Sequence, residues 1–418
     1  MAATFLALAI SIEPGSGTYL DKHDARAIAI GDDPMNTQAI SLRQGCQTTL
    51  MALLVLSTGC GGSGYGGMGG GMNMTTNVTI SGPILPSLAT MTTIGSTLDP
   101  TEHGGNPYGL TVATATAGLV TAGDLIVCNF NDGATNTEGM GTTVIGLHPA
   151  AGAMPYRIAQ SAELLGCSAL TSVPDGSIVA TSSQAQVTVL VAPNGTISTP
   201  FSGDLFAEPW STIYATHANA PFVYVSNAMT GTIDRIALNG DAQTSFTEIA
   251  SGFSANLGAP GSISAPAGLT YDASIDTLYV VDTNANRVVA LSNVSAIGAN
   301  GVVVSGANFS GASAASAKVI ASGAPLNGPI SGALLVNGDL VVGNTLDANG
   351  TNLLIEISPM SGVVATKNVD TGAGGAIFGI VAVPKTITTM GGYNTMNTQT
   401  NVIYFNDDNS NTVILLSQ

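Results

Sequence analysis

Apolar and polar positions alternate along most of this chain in short runs, not in long helical periods. Typical runs are GDLIVCNF, PFVYVSN, TLYVVD, GDLVVGNT and NVIYFNDD, each six to eight residues long with Asp, Asn or Gly at or beside its ends. That is the pattern of short β-strands joined by tight polar turns. The clearest unit is Ala265 to Ser292, APAGLTYDASIDTLYVVDTNANRVVALS. Pro266 and Gly268 open it, Leu269 to Tyr271 form a first strand, Thr277 to Val281 a second and Arg287 to Leu291 a third.

The skeleton recurs six times from about residue 106, starting near Asn106, Gly166, Glu208, Ala265, Gly328 and Ala376. A small residue near the start of each first strand falls at Gly109, Ser168, Ser211, Gly268, Ser331 and Gly379, at a mean spacing of 54 residues. A sheet of three or four short strands cannot bury both faces alone, and stacking such sheets radially into a ring does so. The expected fold is all-β, a six-bladed β-propeller. A β-sandwich needs fewer strands, and a β-helix shorter, more uniform coils. The opening Pro-x-Gly-Leu and the strand pair Leu278-Tyr-Val-x-Asp282 to Val288 resemble the NHL-repeat class of propellers over residues 106–418.

Four segments are expected, three of them upstream of the ring. Residues 1–59 read as an early start plus a signal peptide. Arg43 precedes the apolar run Thr49 to Gly59, and Cys60 follows. The order resembles a bacterial lipoprotein signal, with Leu56, Ser57, Thr58, Gly59 and Cys60 as its lipobox, although Ser57 stands where Leu is usual. The resemblance implies a lipid on Cys60. Met35 gives a signal of ordinary length; the alternative signal is Met1 to Ile12. The apolar run is too short to span a bilayer. Residues 60–75 are a Gly-rich tether, and residues 76–105 an N-terminal arm. Because the chain stops at Gln418, right after the third strand of the sixth unit, the run Asn77 to Leu85 is expected to supply its missing outer strand; an arm lying on the ring is the alternative. Residues 106–418 are the propeller.

Charge narrows the function. Charged residues are only 8% of the chain and the formal net charge is −17. With 9 Lys plus Arg against 26 Asp plus Glu, the chain has little to meet phosphates, which argues against a nucleic-acid binder. Cys128 and Cys167 remain in the body of the chain, either as one disulfide or as two buried thiols. No CxxC, P-loop, HExxH or GxSxG motif stands in a supporting context.

Propellers act at one end of the central channel. The openings of the units place Tyr108, Cys167, Trp210, Ala267, Ile330 and Phe378 there, with Asn106 and Glu208 just before. The candidate ligand-binding residues are therefore Asn106, Tyr108, Glu208, Trp210 and Phe378, the competing reading being that the rings plug the channel. Gluconolactonase-like propellers hold a divalent metal with Glu, Asn and Asp, but their early Glu-Gly-Pro has no counterpart in NPYGL. Peptide-amidating lyases of the NHL kind hold zinc with several His. Here His103, His148 and His217 fall at unlike offsets within their units. The turns Asp282 to Asn286 and Asn406 to Asn409 read as Asx-capped turns ahead of calcium loops. No cofactor, metal or catalytic set is expected. The leading expectation is a non-catalytic, surface-anchored propeller of the cell envelope or exterior, binding a protein, peptide or glycan and meeting the membrane through its lipid alone. The alternatives are a metal-dependent lactonase-like or lyase-like enzyme, and a structural envelope protein.

Overall fold

The computed structural model describes residues 74–201, 206–255, 258, 265–391 and 394–418. The signal-like run, Cys60 and most of the Gly-rich segment lie outside the described residues. Among the described residues the strands form six sheets of four to six strands, a six-bladed β-propeller. Blade 1 holds Gly105–Val112, Leu125–Asn131, Thr143–Leu147 and Tyr156–Gln160, from the axis outwards. Blade 2 runs Cys167–Ser172, Ile178–Ser182, Val187–Val191 and the short Ile197–Ser198. Blade 3 is Pro209–His217, Ala220–Asn227, Thr232–Asn239 and Ala242–Ser251. Blade 4 takes Pro266–Asp272, Thr277–Asp282, Arg287–Ser292 and Ala317–Ser322. Blade 5 is Pro329–Leu334, Leu340–Asn344, Asn352–Ser358 and Gly362–Asp370. Blade 6 has Ile377–Gly391, Asn394–Asp407 and Thr412–Ser417.

Strand alternation explains the ring. Leu278 and Val280 face a core shared with blade 3, while Tyr279 and Val281 face one shared with blade 5. Each of the six blade-to-blade faces has such a cluster, and a seventh sits on the axis. One disulfide, Cys128 to Cys167, joins blade 1 to blade 2.

The recurring small residue also has a physical reason. A Cβ on Gly268 would stand 2.6 Å from Ser331 Cα, and one on Gly109 would stand 2.9 Å from Ala169 Cα. In blades 3 and 5 the residue is Ser and its hydroxyl crosses to the next blade, as does that of Ser168, which stands one place before the matching Ala169 of blade 2. Ser168 Oγ donates to the Pro209 carbonyl at 3.3 Å, Ser211 Oγ accepts from Leu269 N at 3.3 Å, and Ser331 Oγ donates to the Phe378 carbonyl. Asn406 Nδ2 closes the circle on the carbonyls of Pro107 and Gly109, at 3.0 and 3.1 Å.

The outer strand of blade 6 is Thr90–Ser96, antiparallel to Thr412–Ser417. This corrects the assignment of Asn77 to Leu85. The N-terminal part of that run lies in Met74–Thr79, which pairs in parallel with the far end of Asn394–Asp407. Its last residues enter a short 3-10 turn, Leu85–Ser87. That turn is pinned to blade 5: buried Glu356 accepts from Ile84 N at 2.8 Å and Leu85 N at 2.7 Å. Ile84, Leu85 and Leu88 fill the core between blades 5 and 6. The alternating pattern in this stretch was a true β signal for a different partner.

Candidate functional site

Two rings of side chains frame the end of the channel where the inner strands begin. The first comes from a β-bulge in every inner strand: register shifts fall between Pro107 and Gly109, Cys167 and Ala169, Pro209 and Ser211, Pro266 and Leu269, Pro329 and Ser331, and Ile377 and Ile380. A bulge re-aims the extra side chain. Tyr108, Trp210, Ala267, Ile330 and Phe378 thereby meet on the axis. In blade 2 the extra residue is Ser168. This corrects the placing of Cys167 at the channel, since that residue is turned into the disulfide.

The second ring lies one strand further out. Ser183, Ala228, Thr283, Thr345 and Asp408 each donate their backbone N–H to the residue that opens the inner strand, namely Gly166, Glu208, Ala265, Gly328 and Ala376. Phe130 holds the matching place in blade 1. Phe130 and Ala228 belong to the axial cluster. Asp408 is the one carboxylate in this ring.

Tyr108, Trp210 and Phe378 are thus brought together, but against one another. Tyr108 stacks between Phe130 and Phe378, with centroids at 4.2 and 4.1 Å, and meets Trp210 edge-on at 5.7 Å. They close the channel as a packed aromatic plug. Asn106 and Glu208 are held side by side in sequence logic only; they sit in different blades, each one residue ahead of a proline. Both are buried and both adopt left-handed backbone, at φ 55° and 52°. Asn106 Nδ2 donates to Asn131 Oδ1 at 3.1 Å, and its backbone N–H to Asn411 Oδ1 at 2.8 Å. Asn accepts this backbone conformation readily, whereas Glu does so at a cost of order 1 kcal/mol or more.

The electrostatics of the mouth centre on Asp408. Burial, with the carboxylates of Asp407 and Glu138 adding to it, pushes its pKa up to about 6. Asp407 moves upward too, mainly through burial. Burial drives the Tyr108 hydroxyl far up, and Glu138 and Asp408 push the same way against a hydrogen bond from Asn106. Tyr108 therefore stays neutral, within electrostatic reach of a carboxyl group poised near neutrality. Phe130 and Asp408 were not among the candidates from sequence. Both close second strands, where Asn, Asp and Thr look like turn residues; aligning the six blades at that strand end would have exposed them.

A divalent metal is implied by the lactonase-like alternative, and the donors do not fit one. Among the described residues no three His, Cys, Asp or Glu side chains converge on a point. His148 Nδ1 bonds Asp124 at 2.7 Å in blade 1, while His217 Nδ1 lies 3.7 Å from Asp276 near blade 4. Asp282 is engaged by Arg287 at 2.6 Å. No step through a metal is drawn.

Comparison with known proteins gives the ring and little more. No protein-family model matches the chain, and no curated protein matches it. Among solved structures it is similar to a virginiamycin B lyase from Staphylococcus aureus, with TM-score 0.46 and 12% identity over 79% of this chain and 99% of that one. It is also similar to a gluconolactonase from Xanthomonas campestris, with TM-score 0.48 and 10% identity over 75% of this chain and 86% of that one. These likenesses concern the fold alone. The expectation of a non-catalytic binding propeller is nevertheless corrected. Its ground was the anchor signal, the fold and the missing catalytic constellation. The mouth holds Asp408, a half-buried carboxyl group raised by burial, an acid–base candidate which that expectation left out.

Proposed function

We propose that this chain is a propeller enzyme that opens cyclic esters at the channel mouth, with Asp408 as its acid–base group. The observation that carries the reading is the position of Asp408: one carboxyl group on the second axial ring, half-buried, its pKa pushed up to about 6, and within electrostatic reach of the neutral Tyr108 hydroxyl. A base in that range is ionised at neutral pH yet basic enough to take a proton. In lactone hydrolysis the proton comes from water. That water adds to the ester carbonyl, the ring C–O bond breaks, and the proton returns to the leaving alkoxide. In elimination it comes from carbon, the C–H electron pair becomes the new double bond, and the ring C–O bond breaks to a carboxylate. Tyr108 serves as a hydrogen-bond donor, and the strained backbone at Glu208 supports a functional mouth.

The export reading belongs to the same proposal. We infer an NHL-type propeller, exported and anchored through a lipid on Cys60 at the cell envelope. Arg43, the apolar run to Gly59 and the Leu56 to Cys60 box support it, together with the cross-blade disulfide of a chain folded outside the cytosol.

The test is turnover of a panel of cyclic esters, with glucono-δ-lactone and quinupristin as the first two; quinupristin is the compound held by a virginiamycin B lyase variant in one similar structure. Ring opening is followed by proton release and mass, with ¹⁸O-labelled water separating hydrolysis from elimination. Asp408→Asn is expected to lose at least 100-fold in kcat while keeping its melting temperature. Absence of turnover across the panel, or an unchanged Asp408→Asn, overturns the proposal.

A further inference from the structure

On the other side of the plug the channel widens into a funnel that the mouth chemistry does not use. Its volume is about 480 Å³, within the range of small-molecule sites. The floor is the far face of Tyr108, Trp210 and Phe378, and the wall carries Leu110, Leu170, Tyr271 and Leu334. No Asp, Glu, Lys, Arg or His lines it.

Most hydroxyls in the wall are already engaged, Thr212 Oγ1 being a buried one that meets no partner among the described residues. Thr114 Oγ1 donates to the Val173 carbonyl at 2.6 Å and Thr270 Oγ1 to the Gly332 carbonyl at 2.9 Å. Thr171 Oγ1 accepts from Tyr214 N at 3.3 Å. Ser168, Ser211 and Ser331 are committed to the neighbouring blade, as described above. The polar atoms that could read a ligand are thus largely consumed in stitching the ring. A charged ligand would lose its hydration here without a countercharge, which costs far more than contact returns. An anion would in addition face a chain of net charge −17.

We propose that this funnel is a second binding site, separate from the mouth, for a neutral and predominantly apolar small molecule of aromatic or alicyclic character. A rounded six-sided wall and an aromatic floor suit a compact ring system better than an extended, hydrogen-bonding peptide. The site is independent of the ring-opening proposal, because its wall has no group able to take up a proton near neutral pH.

The chain carries its own reporter. Trp210 is the single tryptophan of the sequence and lies in the funnel floor. The neutral fluorophore N-phenyl-1-naphthylamine is titrated into the full chain with excitation at the tryptophan edge. Energy transfer from Trp210 is expected to saturate at one probe per chain. Two wall variants, Ala382→Phe to narrow the funnel and Val383→Asp to charge it, are each expected to weaken binding at least tenfold. Circular dichroism confirms that they fold, and Asp408→Asn is expected to bind the probe as the parent does. No transfer from Trp210, or transfer that neither folded wall variant weakens, overturns the proposal. Loss of ring opening without loss of probe binding would strike the mouth reading alone.

Discussion

Asp234 offers a quantitative test of how burial tunes this acidic chain. It lies in the third strand of blade 3 with no exposed surface. Oδ2 accepts from Asn227 Nδ2 at 2.5 Å, whereas Oδ1 meets no donor among the described residues. Burial, reinforced by the Glu248 carboxylate and opposed by the Asn227 hydrogen bond, pushes its pKa up to about 7. The folded state therefore binds this proton more tightly than the unfolded chain. Its contribution to stability is complete below the unfolded value near 3.8 and is lost as pH rises through 7. At about 1.4 kcal/mol per pKa unit, the loss grows from roughly 1.6 kcal/mol at pH 5 to about 4 kcal/mol at pH 8. With an unfolding entropy of about 2.1 cal/mol/K per residue over roughly 345 residues, the difference is a fall of about 4 °C in melting temperature. Calorimetry of the parent and Asp234→Asn at pH 5 and pH 8, at fixed ionic strength, measures it. The parent is expected to melt lower at pH 8, and the variant to lose about 4 °C of that fall. A parent that melts higher at pH 8, or a variant with the same fall, refutes the reasoning.

Other perturbations probe other parts of the ring. Truncation that removes Thr90–Ser96 bares the edge of Thr412–Ser417 and is expected to aggregate or melt far lower, while removal of Met74–Thr79 alone changes the melt little; equal melts would dismiss the closure. Reducing Cys128–Cys167, which spans 39 residues, is expected to cost about 4 kcal/mol by loop entropy, read as a lower denaturant midpoint. Asp99 runs opposite to Asp234: burial opposes, but Arg157 and the N–H groups of Glu102 and Thr101 hold its pKa below the ordinary value. Its contribution is lost as pH falls through that value, so Asp99→Asn is expected to flatten the stability loss below pH 4, seen in an acid melt series. Mass spectrometry of the native N-terminus is expected to find a lipid on Cys60; a chain starting near residue 13, or an unmodified Cys60, ends the anchor reading.

The blades were legible because inner and middle strands are buried on both faces, and their apolar runs repeat with the small opening residue. Tyr279 and Leu278 announce their two cores by alternation alone. Outer strands carry less signal. In Thr90–Ser96, TMTTIGS, the buried positions are Ile94 and Gly95, so the stretch reads as a polar linker. Upstream, NVTI alternates well and drew the assignment instead. The opening residues Asn106, Tyr108, Glu208, Trp210 and Phe378 could be found because each sits beside the repeated Gly or Ser. Whether the rings form a vacant mouth or a plug depends on how far six bulges bring them together, which no local pattern encodes. Asp408 escaped for a related reason: a second Asp in a turn looks like capping until the six strand ends are superposed.

The claim at the centre of this account is that Asp408 transfers a proton at the channel mouth. The most direct measurement is the pH dependence of kcat/KM for the cyclic ester turned over best, from pH 4 to pH 9, in the parent and in Asp407→Asn. Removing the Asp407 carboxylate takes away one of the charges that raise Asp408. The account predicts a rate that rises with pH through an apparent pKa near 6, and a downward shift of that midpoint in Asp407→Asn. A pH-independent rate, or a midpoint that Asp407→Asn leaves in place, would contradict it.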